Sequence, residues 1–485
     1  MELKKDQNRT GPCSVRSRLK GACLKRVIVL VAKTWVLLGA LFSTTALHCQ
    51  DESYALSGTL VTARGVVDDG VVLISHGAIE GIGSKIPIPK GTPVIETGGV
   101  IFPGLIDLHD HLVWNVFPRW GPPSPVGNRY DWQAMPDYSA KLSGPEATLI
   151  GRGLGCDMER YAEIKAMLGG ATSLVGSFSP TDADPHRDDC DRGLARNLDF
   201  FSGLYSREMN AEPLDYEVFP FEIPAARAQS IRDSLSSGKL KTLLIHVSEG
   251  QDASAAREYR MLKASGFLRP GVSVIHGVAL QKAQFQEMAE NGVGLIWSPH
   301  SNVALYGKTT DIASAKAAGL TIAIAPDWSP SGSNSMVEEL QYAFRWNSQQ
   351  PQKIFDAPDF VQMATVNAAK LAGASDKIGS LAAGMAADIV VFPPKGNSAW
   401  AALLDADPGS IRLVLVGGKA KLGDPDLMKK LLPGGHFDTV TVCQHDKSLN
   451  LDGETGGESW NEIQSNLTRE LHNASSSLSE LAKCN

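Results

Sequence analysis

Five residues with metal-binding side chains stand at or just after the ends of apolar, strand-like runs: His109, His111, His246, His276 and Asp327. Successive side chains of a strand alternate between its two faces, so His109 and His111 are expected to project to the same side. Imidazole nitrogens and carboxylate oxygens are ligands of zinc and iron. The pattern therefore predicts a divalent metal site with room for a catalytic water.

Any one of these residues taken alone has a simpler interpretation as a hydrogen-bonded residue of the core. A His-x-His pair is also weak evidence, because 11 histidines in 485 residues form chance pairs. Their recurrence at successive strand ends favours the metal site, since the carboxyl ends of parallel strands meet at one rim of a barrel.

The middle of the chain, residues 102–378, alternates strand-like runs with helical patterns, which indicates βαβ units and a parallel sheet. We predict a (β/α)8 TIM barrel here. Strands are expected at 171–175, 242–247, 272–276, 293–297 and 321–325, and helices at 157–168, 253–265, 281–291, 312–318 and 335–347. Two further strands have fainter patterns, at 198–203 and 216–222.

Short, glycine-punctuated strands flank the barrel at residues 51–101 and 379–433. They predict the two halves of a small β-sandwich domain. Residues 434–485 are polar and are expected to form a C-terminal tail with a surface helix around 459–481.

Residues 1–50 differ from the rest, with a basic segment followed by an apolar run at 27–47. This order predicts a signal peptide and processing region, and hence a secreted or periplasmic protein. A membrane anchor and lipoprotein processing at Cys49 are the alternatives. Lys33 leaves the uninterrupted apolar run shorter than the roughly 20 residues of a spanning helix, so we expect no stable membrane span after processing.

The composition limits the classes of partner. A net charge of −7 lacks the basic excess that binding to nucleic acid requires. Seven scattered cysteines, without a Cys-x-x-Cys pair, are not typical of a disulfide-rich module or a zinc knuckle, although one bridge remains open. We expect a small-molecule substrate, and a homo-oligomer is compatible with the sequence.

Several motifs together resemble the amidohydrolase superfamily, nearest the branch of cytosine and guanine deaminases and triazine chlorohydrolases. They are P-G-L-I-D-L-H-x-H ending at His111, H-V-S-E at 246–249, H-G at 276–277, S-P-H-S-N at 298–302, P-D at 326–327 and the segment 379–391. The resemblance spans about residues 54–425. It implies that His109, His111, His246 and Asp327 hold one metal, zinc or alternatively iron.

The resemblance also implies catalytic roles. Glu249 would shuttle a proton from water to the leaving nitrogen, His276 would orient the water or polarise the substrate, and Asp327 would double as a base. Glu249 has an alternative interpretation as a carboxylate at a helix start. We find no lysine at a credible strand end to bridge a second metal, and Glu222 is the only other candidate, so one metal is favoured.

Four residues are predicted to contact substrate: Ser301, Asn302, Trp114 and Trp328. The predicted enzyme is a metal-dependent hydrolase of non-peptide carbon–nitrogen bonds that deaminates an aminated heterocycle. One alternative is an amidase acting on a cyclic amide, an N-acyl or a dipeptide-like substrate. A second is a non-catalytic extracellular binding protein.

Overall fold

A computed structural model describes residues 53–178, 190, 194–199, 214–451 and 457–484. The predicted signal peptide and processing region, residues 1–50, lies outside them. The first flank contributes four strands: β1 Tyr54–Thr62, β2 Gly65–Ser75, β3 Ala78–Gly83 and β4 Val94–Pro103. β1 pairs antiparallel with β2 and parallel with β4.

Eight short strands follow, and every pairing among them is parallel. They are β5 Leu105–Asp107, β6 Ala171–Leu174, β7 Arg196–Asn197, β8 Leu214–Glu217, β9 Thr242–Val247, β10 Val272–His276, β11 Gly294–Trp297 and β12 Ile322–Ile324. They form a three-stranded sheet, β5-β6-β7, and a five-stranded sheet, β8 to β12 in chain order. A parallel bridge between Asp110 and Asp327 joins the two sheets where β5 and β12 end.

Two of these strands are not where the sequence predicted them. β7 precedes the predicted segment 198–203, of which residues 200–203 lie outside the described chain. β8 starts before the predicted segment 216–222 and ends at Glu217. The chain bends after Glu217, where Pro220 and Pro224 lack the N–H group that a sheet ladder needs.

The helices lie mainly between the parallel strands, as the alternating pattern predicts. The α-helices are Arg129–Gln133, Pro136–Tyr138, Gly144–Gly151, Gly155–Leu168, Ala225–Ser237, Ala253–Ala264, Lys282–Glu290, Pro299–Tyr306, Ile312–Ala317, Met336–Ser348, Ala357–Met363, Val366–Leu371, Ala401–Leu404, Pro425–Leu431 and Trp460–Asn473. A 3-10 helix spans Leu112–Val116 and a π-helical turn spans Ser139–Ser143.

Both faces of the parallel strands are covered by apolar side chains. Leu244, Ile275 and Ile296 belong to one buried cluster. Their neighbours in the chain, such as Leu243 and Leu295, belong to another. This explains why these strands read as continuous apolar runs rather than as alternating patterns.

The second flank completes the sheet begun by the first. Its strands are β13 Ile389–Phe392, β14 Leu413–Val416 and β15 Lys419–Gly423, and the C-terminal region adds β16 Asp438–Val442 and β17 His445–Leu449. The order in this nine-stranded sheet is β16-β17-β15-β14-β13-β4-β1-β2-β3. The antiparallel pair of β4 and β13 therefore joins the two flanks.

The C-terminal region is not the polar tail that its composition predicted. Residues 438–449 add two strands to the sheet, and helix Trp460–Asn473 buries an apolar stripe that includes Ile463 and Leu467. Disulfides join Cys443 to Cys484 and Cys156 to Cys190. Over the described residues, no helix has both the length and the apolar character needed to cross a membrane.

Candidate metal centre

Four predicted ligands converge where the parallel strands end. Nε2 of His109 lies 3.1 Å from Nε2 of His246 and 3.2 Å from Oδ1 of Asp327, and Nε2 of His111 lies 3.5 Å from the same oxygen. Ligand atoms around a tetrahedral zinc lie about 3.3 Å apart, because each is about 2.0–2.1 Å from the ion. The donor types suit a divalent metal ion, and the ligand atoms form two clusters that share His109: His109, His246 and His276, and His109, His111 and Asp327.

His276 lies in the same cluster. One ligand nitrogen each from His109, His246 and His276 lie within 4.8 Å of one another. Nδ1 of His276 lies 3.0 Å from Oδ1 of Asn302, and its Nε2 lies 3.6 Å from Oε2 of Glu249. His276 thus contacts both the ligand group and the predicted proton carrier.

The backbone turns sharply where these side chains enter the site. His276 has φ +70° and Asp327 has φ +74°, in the left-handed region that non-glycine residues rarely adopt. Such conformations cost of order 1–3 kcal/mol each and persist only where the surroundings impose them. At both strand ends this turn accompanies a side chain directed at the metal centre.

Two serine hydroxyl groups form hydrogen bonds with His109 and Asp327, through side-chain atoms other than those that face the neighbouring ligands. Nδ1 of His109 lies 2.8 Å from Oγ of Ser298, and the Ser301 hydroxyl donates to Oδ2 of Asp327 at 2.5 Å. Such outer partners orient ligand side chains and tune their basicity.

The structure does not place Ser301 and Asn302, the two predicted substrate contacts of this loop, in the wall of the cavity. Both side chains are fully buried and bind the site's own residues, and neither lines the cavity. The S-P-H-S-N loop begins helix Pro299–Tyr306, which turns these two side chains toward Asp327 and His276.

Burial dominates the electrostatics of the site. It lowers the pKa of His109 and of His246 well below the usual value, and His276 lowers both further. Burial also raises the pKa of Asp327 well above its usual value, and the nearby Glu249 adds to this effect. A histidine binds a metal through its neutral imidazole, and the lowered pKa values keep His109 and His246 in this neutral form.

Glu249 is buried at the edge of the metal centre. Its Oε1 accepts a 2.6 Å hydrogen bond from the Tyr306 hydroxyl, and NH1 of Arg129 lies 3.8 Å from its Oε2. The following helix, Ala253–Ala264, is capped by Asp252, whose side chain accepts from the Ala255 N–H. The side chain that caps this helix is therefore Asp252, whereas Glu249 contacts Tyr306 and Arg129.

A cavity of about 770 Å³ opens from the metal centre. Small-molecule sites occupy about 300–1,000 Å³. Four of its wall residues form a continuous aromatic surface with neighbouring ring centroids 5.1–6.0 Å apart: Trp114, Tyr138, Trp132 and Trp328. The predicted contacts Trp114 and Trp328 thus lie where a planar ring can stack.

Glu222, the candidate bridge to a second metal, lies in the outer wall of the cavity. It accepts a hydrogen bond from the Tyr130 hydroxyl at 2.9 Å. Neither of the ligand clusters found in the described part of the chain includes it.

Two residues around Glu249 escaped the sequence reasoning. Tyr306 follows the S-P-H-S-N loop by a few residues and had no motif to mark it. Trp132 lies in the aromatic-rich segment after His111 and likewise had no motif to mark it. Their importance depends on side-chain directions that no sequence spacing specifies.

Comparison with known proteins shows what this chain resembles. Residues 241–421 match the sequence profile described as "Amidohydrolase family". A 5-methylthioadenosine/S-adenosylhomocysteine deaminase from Thermococcus onnurineus is 26% identical over 398 residues, which cover 73% of this chain and 90% of that protein.

Two solved structures share the fold. An adenosine deaminase from Xanthomonas campestris with bound zinc superposes with a TM-score of 0.63 at 17% identity, covering 87% of this chain and 98% of that one. A mutant atrazine chlorohydrolase from Arthrobacter aurescens TC1, complexed with zinc and atraton, gives 0.64 at 18% identity, covering 76% and 94%. The predicted resemblance is confirmed to this extent: residues 241–421 match the amidohydrolase family profile, and the two solved structures share the fold.

Proposed function

We propose that this protein is a zinc-dependent hydrolase that deaminates an aminated heterocycle. One observation carries the proposal: the two clusters of metal-ligating side chains that share His109 lie beside a buried glutamate, Glu249, and an aromatic-walled cavity. A closed (β/α)8 barrel with a small β-sandwich is part of the same proposal. The eight parallel strands and the bridge between Asp110 and Asp327 support the barrel.

His109, His111, His246 and Asp327 would hold the ion. Zinc in such a site lowers the pKa of water toward about 7 and so supplies a nucleophile at neutral pH. Iron is the alternative metal, since it uses the same ligand types.

Glu249 would carry the proton. Water would add to the ring carbon that bears the amino group, and Glu249 would carry one of its protons to the leaving amino nitrogen. The other proton of the water would pass to the adjacent ring nitrogen as the carbon–nitrogen bond breaks, which leaves a ring carbonyl and ammonia. His276, whose Nε2 lies 3.6 Å from Oε2 of Glu249, would orient the water or the ring. Trp114 and Trp328 would stack on the heterocycle.

The substrate class follows from the relatives and the cavity. Relatives named 5-methylthioadenosine/S-adenosylhomocysteine deaminases favour an aminopurine nucleoside. A volume of about 770 Å³ leaves room for a substituent beyond the base. The aromatic wall suits an apolar substituent such as a thioether.

The test is ammonia release by the zinc-loaded protein from methylthioadenosine, S-adenosylhomocysteine, adenosine, guanine and aminated triazines. Glu249→Gln should lower kcat by about 10²- to 10⁴-fold while zinc content is retained. Glu290→Gln, at an exposed site away from the cavity, is the matched control and should change nothing.

The alternatives give different results. A carboxylate product from a cyclic amide or an N-acyl substrate, with no ammonia from the heterocycles, would favour an amidase. Saturable binding without turnover would favour a binding protein. Full activity in Glu249→Gln would refute the role given to this glutamate.

Export is a further part of the proposal, supported by the order of basic and apolar residues in 1–50. The mass of the mature protein recovered from outside the cytoplasm tests it. A mature chain that retains residues 1–50 would contradict signal cleavage.

A further inference from the structure

Tyr306 connects Glu249 to the wall of the substrate cavity. Its hydroxyl donates to Oε1 of Glu249 at 2.6 Å and accepts from the indole Nε1–H of Trp132 at 2.9 Å. Tyr306 is 1% exposed, Glu249 5% and Trp132 7%, so water does not compete strongly for these bonds.

The chemistry of the three side chains determines which group donates in each of these hydrogen bonds. An indole N–H can only donate, so the Tyr306 oxygen must accept from Trp132. The single hydroxyl proton is then left for Glu249. Burial raises the pKa of Tyr306 well above its usual value, and the nearby Glu249 raises it further, so the phenol keeps this proton.

The hydroxyl also selects between the two oxygens of the carboxylate. Oε1 is occupied by Tyr306, whereas Oε2 lies 3.6 Å from Nε2 of His276 at the metal centre. The terminal torsion of a glutamate is broad and roughly two-fold. Without a donor on Oε1, the carboxylate plane could rotate away from the orientation that presents Oε2 to the site.

We propose that Tyr306 is a positioning residue for Glu249, and that Trp132 sets the direction in which the Tyr306 hydroxyl points. The role rests on the proposed function, since it takes Glu249 as the proton carrier. Trp132 also lines the cavity, so the wall that contacts substrate and the group that moves the proton share one hydrogen-bonded chain.

Tyr306→Phe removes the hydroxyl and keeps the buried ring. A hydrogen bond to a charged group in a buried site corresponds to about a 10- to 100-fold effect, so we expect kcat to fall by that factor. KM should change less than about twofold and zinc content should stay the same, because Tyr306 contacts neither the cavity nor the ligand atoms.

Tyr259→Phe is the matched control. Tyr259 also donates to a glutamate, Glu287, at 2.9 Å, but it lies outside the cavity wall. Its loss should leave kcat unchanged. Trp132→Phe is a second variant that keeps an aromatic ring, removes the N–H donor to Tyr306 and makes the side chain in the cavity wall smaller. It should lower kcat less than Tyr306→Phe does.

A double mutant separates positioning from a general structural role. If Tyr306 acts through Glu249, adding Tyr306→Phe to Glu249→Gln should cost little more activity than Glu249→Gln alone. A Tyr306→Phe variant with wild-type kcat, a raised KM alone, or losses that multiply in the double mutant would each overturn the proposal.

A readout independent of turnover keeps the two proposals apart. Crystal structures of the zinc-loaded protein should show one orientation of the Glu249 carboxylate, and Tyr306→Phe should show it rotated or in several orientations. An unchanged carboxylate in the variant would overturn the positioning role even if no tested heterocycle is a substrate. A wild-type protein that releases no ammonia, with the carboxylate rotated in the variant, would refute the proposed function alone.

Discussion

Lys165 provides a prediction whose magnitude can be worked out from the structure. It lies on helix Gly155–Leu168, and its side chain is completely buried. Nζ donates to the Asn115 carbonyl and to the hydroxyls of Ser329 and Ser479, each at 3.1 Å. One ammonium group thus ties the segment after His111 to the segment after Asp327 and to the C-terminal region.

Burial lowers the pKa of Lys165 from 10.5 to about 7, and the charged groups around it offset only part of this effect. Glu338, Asp110 and Glu480 act to raise the pKa, whereas Arg119 lowers it. Each pKa unit corresponds to about 1.4 kcal/mol, so the burial of this charged group costs about 5 kcal/mol at low pH.

The direction in which the unfolding free energy changes with pH follows from proton binding. Between pH 7 and 10.5 the unfolded chain holds a proton on Lys165 that the folded protein has largely released, so this group makes stability rise with pH. Integrated from pH 7 to pH 9, its contribution to the free energy of unfolding is about 2 kcal/mol. Lys165→Met keeps a similar length, removes the titrating group and abolishes this rise.

The assay is urea unfolding of wild type and Lys165→Met at pH 7, 8 and 9. Other titrating groups occur in both proteins, so the difference between the two unfolding free energies isolates Lys165. That difference should grow in favour of wild type by about 2 kcal/mol from pH 7 to pH 9. A difference independent of pH would refute the reasoning, because it would mean that Lys165 stays protonated in the folded protein.

Three further predictions concern other parts of the structure. Replacing Cys443 and Cys484 by serine opens a link with a sequence separation of 41, so the unfolding free energy should fall by about 4 kcal/mol; an unchanged Tm in calorimetry would contradict this. Arg196→Met removes the charged partner of the buried Asp388, now 2.8 Å from the guanidinium, leaves it the hydrogen bond from the Gly417 N–H, and should cost about 3–5 kcal/mol. Adding Asp388→Leu should recover part of that loss in urea unfolding, and a purely additive result would count against the pair. Removing metal with a chelator should lower both Tm and ammonia release, and zinc should restore both; a Tm that ignores the chelator would argue against the metal centre.

Much of the metal centre could be predicted because strand geometry is regular. Side chains two apart lie on one face of a strand, and the carboxyl ends of parallel strands meet at one edge. For this reason His109, His246 and Asp327 could be expected to meet, although they are far apart in the chain. In the structure, Nε2 of His109 lies 3.1 Å from Nε2 of His246 and 3.2 Å from Oδ1 of Asp327.

Side-chain directions in loops and short helices were not predictable in this way. Ser301 and Asn302 were expected to face substrate, but the start of helix Pro299–Tyr306 turns them toward the ligands. The limits of β7 and β8 were misplaced, because a strand of two to four residues carries almost no periodic signal.

By itself, the sequence determined the alternating strands and helices, the superfamily resemblance and the residue types gathered at the strand ends, because periodicity and donor chemistry are local properties. Only the tertiary structure decided which cysteines pair, which amine is buried beneath the site and which hydroxyl holds Glu249. These features depend on contacts between residues far apart in the chain, such as Lys165 and Ser479, and no local sequence pattern specifies such contacts.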